Sequence, residues 1–184
     1  MARESSFIFS INYYDNSHGD NTVSSFVAKH PKKPFSKPDS LDNMWFDVKG
    51  DNNLLISAEL HLYHKCLIKN NKNYNRKFDV LVYQIPRRNA SDYVGSVEMP
   101  AKQNGWFTVN VTDCYKSWCK SPQTNEGLKV VAKDHESEYP EIRAEDIGVV
   151  GFEDDSQKHP FIVAYFRNAE HDVFEKVLFE RMFE

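Results

Sequence analysis

The chain has 184 residues, 40% of them hydrophobic and 14% aromatic, enough apolar mass for one buried core and one domain over residues 1–184. Its 23 Lys and Arg against 27 Asp and Glu give a net charge of −4, and basic residues gather only in short clusters such as Lys32-Lys33 and Arg87-Arg88, so nucleic-acid binding has little electrostatic support. No apolar run approaches the ~20 residues that cross a bilayer, so no membrane insertion is expected.

Met1-Ala2-Arg3-Glu4 has no apolar signal-peptide core, which leaves either an intracellular chain or one whose signal has been removed. Phe7-Ile8-Phe9-Ser10-Ile11 with Tyr13-Tyr14 reads as a first strand, followed by a polar turn over 15–20. Asp20 can cap a short helix over 21–30, with Val23, Phe26 and Val27 on its apolar side. Three prolines and four lysines between Lys29 and Pro38 make an extended connector.

The β-rich core is expected over 44–168. Met44-Trp45-Phe46-Asp47-Val48 reads as a strand closed by the turn over 49–53. Residues 54–63 alternate cleanly, with Ala58, Leu60 and Leu62 on one face and Glu59, His61 and Tyr63 on the other. A polar loop over 70–76 leads to a strand over 78–85, ended by Pro86 and the loop that carries Arg87-Arg88 and the sequon Asn89-Ala90-Ser91.

The stretch 105–119 changes period halfway through. Trp106 to Val111 has the aromatic and β-branched composition of a strand, whereas Tyr115, Trp118 and Cys119 fall at i, i+3 and i+4 on one face of a short helix. Thr112 or Asp113 is expected to cap that helix and Pro122 to end it; Asn125-Glu126-Gly127 then turns the chain into a strand over 128–132. Trp106 and Trp118 are expected in one core. Residues 133–146 read as an acidic loop and 148–152 as a short strand. The near-continuous apolar run 159–166 reads as a strand buried on both faces, which places Phe161 and Val163 in the core. Val173, Phe174, Val177, Leu178 and Met182 form a helical stripe in a C-terminal helix or tail over 172–184. About eight strands with two or three short helices make a mainly β chain, an antiparallel β-sandwich of jelly-roll-like type.

Chemistry is sparse. His61 and His64 lie three apart in a strand and point to opposite faces, so they cannot share a metal ion. His135-Glu136-Ser137-Glu138 reads as a solvated acidic loop. There is no Gly-x-Ser-x-Gly elbow and no glycine-rich phosphate loop, so no catalytic residue, metal or cofactor is assigned. Three cysteines leave at least one unpaired, and a Cys114–Cys119 disulfide would require the helix to unwind; Cys119, in the apolar stripe, reads as a buried free thiol, and the pairing of Cys66, Cys114 and Cys119 stays open. Asn89 and Asn110 begin the two sequons. A binding role remains, and a β-sandwich carbohydrate-binding or adhesion module is one form of it, provided Trp106 and Trp118 are exposed to stack on sugars.

Several blocks carry a family resemblance. Residues 55–63 resemble the A-E-L-R-I-Y strand of TGF-β superfamily propeptides, and 78–84 resemble the strand after it. Residues 105–118 are similar to the family's G-W-L-x-F-D-V-T-x-x-V-x-x-W block, 125–130 to N-x-G-L-x-L, and 159–166 to P-F-M-V-A-F-F. Residues 21–27 resemble the short D-I-V-M-S-F helix of the bone morphogenetic protein group, the insect 60A and screw type among them. The likeness runs in order from about residue 21 to 168. Asn110 stands where many members have Asp, which creates its sequon, and Cys119 takes an apolar place; three cysteines cannot make the family's cystine knot.

The resemblance implies a secreted, extracellular, non-catalytic propeptide arm. It would assist folding and dimerisation of a cystine-knot growth factor, bind the mature dimer non-covalently, and modulate its secretion, distribution and signalling, with extracellular matrix proteins as further partners. It places the helix bearing Val23, Phe26 and Val27 against the growth factor, gives Trp106 and Trp118 to the arm's own core, and implies glycans at Asn89 and Asn110.

Overall fold

A computed structural model describes residues 11–13, 21–30, 41–51, 53–66, 76–85, 92–134, 141–152 and 156–167. The proline-rich connector, the loop before Arg76, the sequon at Asn89, His135 to Glu138 and the C-terminal stripe lie outside the described residues.

The described chain is mainly β. One sheet has five strands in the order β1 (Ile11–Tyr13), β2 (Asn21–Val27), β9 (Phe161–Phe166), β3 (Leu55–His64) and β6 (Gly105–Asn110). The other has four, in the order β5 (Asp92–Pro100), β4 (Lys77–Gln84), β7 (Leu128–Asp134) and β8 (Ile142–Arg143). Every pairing within these two sheets is antiparallel. The alternation read in residues 54–63 is what builds β3: Ala58, Leu60, Leu62 and His64 are buried while Glu59, His61 and Tyr63 are half-buried on the other face. Ile162 and Ala164 of β9 join Leu60 and Leu62 in a core shared with Val80 and Val82 of β4 and Leu128 and Val130 of β7.

One α-helix, α1 (Thr112–Lys120), follows β6 directly and buries Cys114, Tyr115 and Trp118 in that core. Its N-terminus has no side-chain cap, contrary to the expectation for Thr112 or Asp113. Thr112 instead ties the helix to β3: its Oγ1 accepts the Ala58 N–H at 3.0 Å, while the Val111 N–H donates to the Ala58 carbonyl at 2.9 Å. The segment 41–50 runs between the sheets. Leu41, Met44 and Phe46 are wholly buried, Met44 and Leu128 exchange two backbone bonds of 2.8 Å, Tyr115 donates its hydroxyl to Lys49 O at 2.7 Å, and Asn125 donates its amide to Phe46 O at 2.8 Å. The buried imidazole of His64 holds two more loops, its Nδ1 meeting Gln103 O and its Nε2 Ile147 O at 2.9 Å. Buried Asp134 pairs with Arg76.

Other expectations are corrected as well. Asn21–Val27 is a strand, not part of a helix over 21–30, because six residue pairs with β9 supply backbone bonds that a seven-residue helix cannot offset alone. Residues 44–48 and 148–152 form isolated bridges, Met44 to Leu128, Lys29 to Trp45 and His64 to Val149, rather than full strands. β7 extends to Asp134, and the stretch read as acidic loop also holds β8 and a 3-10 turn over Ala144–Ile147. β9 is buried on one face only, so Phe161 and Val163 are half-buried and lie outside the core. Trp106 is 42% exposed, whereas Trp118 is wholly buried. Strand β5 is an addition that sequence reading missed.

Candidate docking face

The outward side chains of the five-stranded sheet make the candidate face. The pleat sends every second residue outward, and register aligns them across strands. Val23, Ser25 and Val27 of β2 lie opposite Tyr165, Val163 and Phe161 of β9. These in turn lie opposite Ser57, Glu59 and His61 of β3, and Glu59, His61 and Tyr63 face Asn110, Thr108 and Trp106 of β6. At one end of the face the rings interlock. His61 stacks on Phe161 with centroids 4.7 Å apart and planes 9° apart, Trp106 meets Phe161 edge-on at 5.0 Å, and Tyr63 meets Trp106 edge-on at 5.2 Å. Lys158 Nζ lies 5.2 Å from the Tyr63 ring centre, in reach of the ring's negative face. Val27, 47% exposed, extends this band along β2.

The electrostatics are mild. Burial pulls the His61 imidazole below its usual value, partly offset by the Glu59 carboxylate, whose Oε2 lies 3.5 Å from Nε2. His61 is therefore an uncharged plate at neutral pH, suited to stacking. An aromatic and aliphatic band with polar edges is the composition of a protein-docking surface, where a few large side chains supply most of the binding energy.

The predicted site residues divide. Val23 and Val27 lie on this face, but Phe26 alternates inward, its ring 5.9 Å from Tyr115. The helical stripe is thus split between surface and core. Trp106 belongs to the face and Trp118 to the interior. Sequence reading placed Glu59, His61 and Tyr63 together as an outward set; it missed that Phe161 and Trp106 join them, because only pairing brings β3, β6 and β9 side by side. Asn110 ends β6 and is exposed.

All three cysteines are free thiols, Cys114 buried and Cys66 and Cys119 half-buried, so Cys114 is the buried one rather than Cys119. Burial pushes the Cys114 thiol up to about 12. The unfolded thiol ionises first as pH rises, so the folded state is expected to lose about 1.4 kcal/mol per pH unit between the two ionisations. Tyr115, also raised by burial, adds to the loss above its unfolded value. Urea titrations from pH 8 to 11 measure this slope. Cys114→Ala should flatten its first part, and an unchanged slope would show that another group controls alkaline unfolding.

Among the described residues no group of three or more His, Cys, Asp and Glu could hold a metal ion, and no helix is long and apolar enough to cross a membrane. The family model for the TGF-beta propeptide matches residues 2–165, which include both sheets, α1 and nearly all of the outward face. The chain belongs to the TGF-beta propeptide family. Relatives of this propeptide include Protein 60A of Drosophila melanogaster, 28% identical over 133 residues, and Protein 60A of Drosophila virilis, 28% identical over 135. Each comparison covers 69% of this propeptide, which spans 29% and 31% of those relatives' lengths. TGF-beta propeptides are parts of secreted growth-factor precursors.

Proposed function

We propose that this propeptide is a non-catalytic arm that binds the mature cystine-knot dimer of its own precursor through the outward face of the five-stranded sheet. The observation that carries the reading is the outward band Val27–Phe161–Trp106, exposed at Val27 and Trp106, on a chain of the propeptide family. Binding there shields apolar surface while the growth factor folds and dimerises, and keeps the arm attached after the connecting chain is cut. Secretion, extracellular distribution and signalling of the growth factor then follow the lifetime of that complex, in which matrix proteins are further partners. A carbohydrate-binding or adhesion module is the weaker reading, since Trp118 is wholly buried and offers no ring to a sugar.

Co-expression with a mature bone morphogenetic protein dimer, followed by size-exclusion chromatography, tests the proposal. The wild-type propeptide should co-elute, and Val27→Glu and Trp106→Ala should each weaken binding about tenfold or more, as expected when a central anchor is removed. Wild-type co-elution with both variants unaffected would move the interface elsewhere. Separation of the wild-type chains, with no gain in growth-factor refolding yield, would overturn the function.

A further inference from the structure

Away from the aromatic end of the docking face, β5, the end of β6 and the start of α1 enclose a cleft of about 520 Å³. Gln84, Asp92, Tyr93, Ser96, Asn110 and Asp113 are among the residues that line it; Tyr93 is 59% exposed and donates its hydroxyl to Ser96 Oγ at 2.9 Å. Carboxylates and amides that accept and donate to hydroxyls, beside one flat exposed ring, suit a sugar better than an apolar ligand. The cleft is of the size that holds a small ligand.

Asn110 opens the sequon Asn110-Val111-Thr112, and it lines this cleft. Its Oδ1 accepts the Thr112 N–H at 2.9 Å, while its Nδ2 donates no hydrogen bond to the described residues. The other two sequon residues are locked. Val111 is buried, and the Thr112 hydroxyl is held against the Ala58 backbone, accepting its N–H at 3.0 Å. A transferase must engage that hydroxyl and bend the sequon, which the folded chain does not permit.

We propose that Asn110 carries an N-linked glycan, attached before the domain closes, whose first sugars lie in the cleft against Tyr93. In the attachment step Asn110 Nδ2 bonds to the anomeric carbon of a lipid-pyrophosphate-linked oligosaccharide. The carbon–oxygen bond to the pyrophosphate breaks, the pyrophosphate leaves with the electron pair, and the amide proton passes to solvent. The proposal rests on the propeptide reading only in so far as that reading takes the chain through the secretory pathway. A glycan seated there borders the docking face opposite its aromatic end and confines a partner to the Val27–Phe161–Trp106 side.

The test sends the full chain through the secretory pathway of cultured cells behind a cleavable signal peptide. Glycopeptide mass spectrometry should find Asn110 occupied and the Asn110→Gln variant empty at that position. An amidase that removes N-glycans should release the Asn110 glycan about tenfold more slowly from the native than from the denatured protein, and Tyr93→Ala should restore most of that rate. Tyr93→Leu, which keeps bulk without a flat ring, should behave alike and serves if the alanine variant does not fold. Bacterially produced, folded chain offered to the transferase with its lipid-linked donor should stay unmodified at Asn110. An empty Asn110 in the secreted protein overturns the site. Equal native and denatured release, or release unchanged by both Tyr93 variants, overturns the seat in the cleft, and modification of folded chain overturns the order of events. Growth-factor co-elution is scored separately, so an occupied, protected Asn110 on a chain that binds no growth factor strikes the propeptide reading alone.

Discussion

Trp118→Ala is expected to destabilise the fold by about 3–5 kcal/mol, enough to unfold a domain whose total stability is on the order of 5–15 kcal/mol. Trp118 is wholly buried on α1, one turn from Tyr115, and the strands around it are held in hydrogen-bonded ladders that cannot collapse into the space its ring would leave. The same change at Trp106 should cost about 1 kcal/mol, because that ring is 42% exposed and loses only edge contacts with Tyr63 and Phe161. Trp118→Phe should fall between them. It loses area but also removes an indole N–H that finds no acceptor among the described residues. Urea denaturation of the three variants measures these differences; equal losses at the two tryptophans would contradict the division between core and face.

Gly127→Ala is the second large effect, expected at about 3–5 kcal/mol from two costs that add. Gly127 has φ +104, which costs a residue with a Cβ about 1–2 kcal/mol. The new Cβ would also lie 2.5 Å from Met44 O, the acceptor for the Leu128 N–H. Relief requires moving the 43–44 backbone and giving up that exchange of hydrogen bonds, each about 1 kcal/mol net. Gly105→Ala is the control. Its φ is +136 but no heavy atom lies within 4 Å of the new Cβ, so only the backbone cost applies. Thermal melts of both proteins decide the matter, and a Gly127→Ala protein no less stable than Gly105→Ala would show that the close approach at Met44 carries no energy.

Cooperative local patterns were legible. The alternation of residues 54–63 reappears as β3 with the expected buried set, and 78–85 appears as β4. The change of period after Val111 appears as α1, with Tyr115 and Trp118 inward. Family resemblance, carried by these same blocks, agrees with the match over residues 2–165. Misreadings fell where local pattern is ambiguous. Val23, Phe26 and Val27 satisfy a helical spacing, yet Val23, Ser25 and Val27 equally satisfy a strand, and a free edge of β9 settles the choice. β5 escaped notice because Gly95, Ser96 and an irregular register opposite Val82 and Tyr83 break its alternation.

The candidate face shows the same boundary. Which side chains of β3 point outward follows from a period of two along one strand, a property of the local chain. That Phe161 stacks on His61 and that Trp106 closes the cluster depend on pairings between strands far apart in the chain, and that Asn110 opens on a cleft with Tyr93 depends on β5 and β6, from different sheets, coming together. Sequence by itself therefore determined the family, the β-rich class and the alternating faces, since each rests on nearest-neighbour geometry or on ordered motifs. Only the tertiary structure decided which aromatic residues are core and which are surface. The sign of that choice is set by whether another sheet or open solvent lies over the face, and no single strand encodes what covers it.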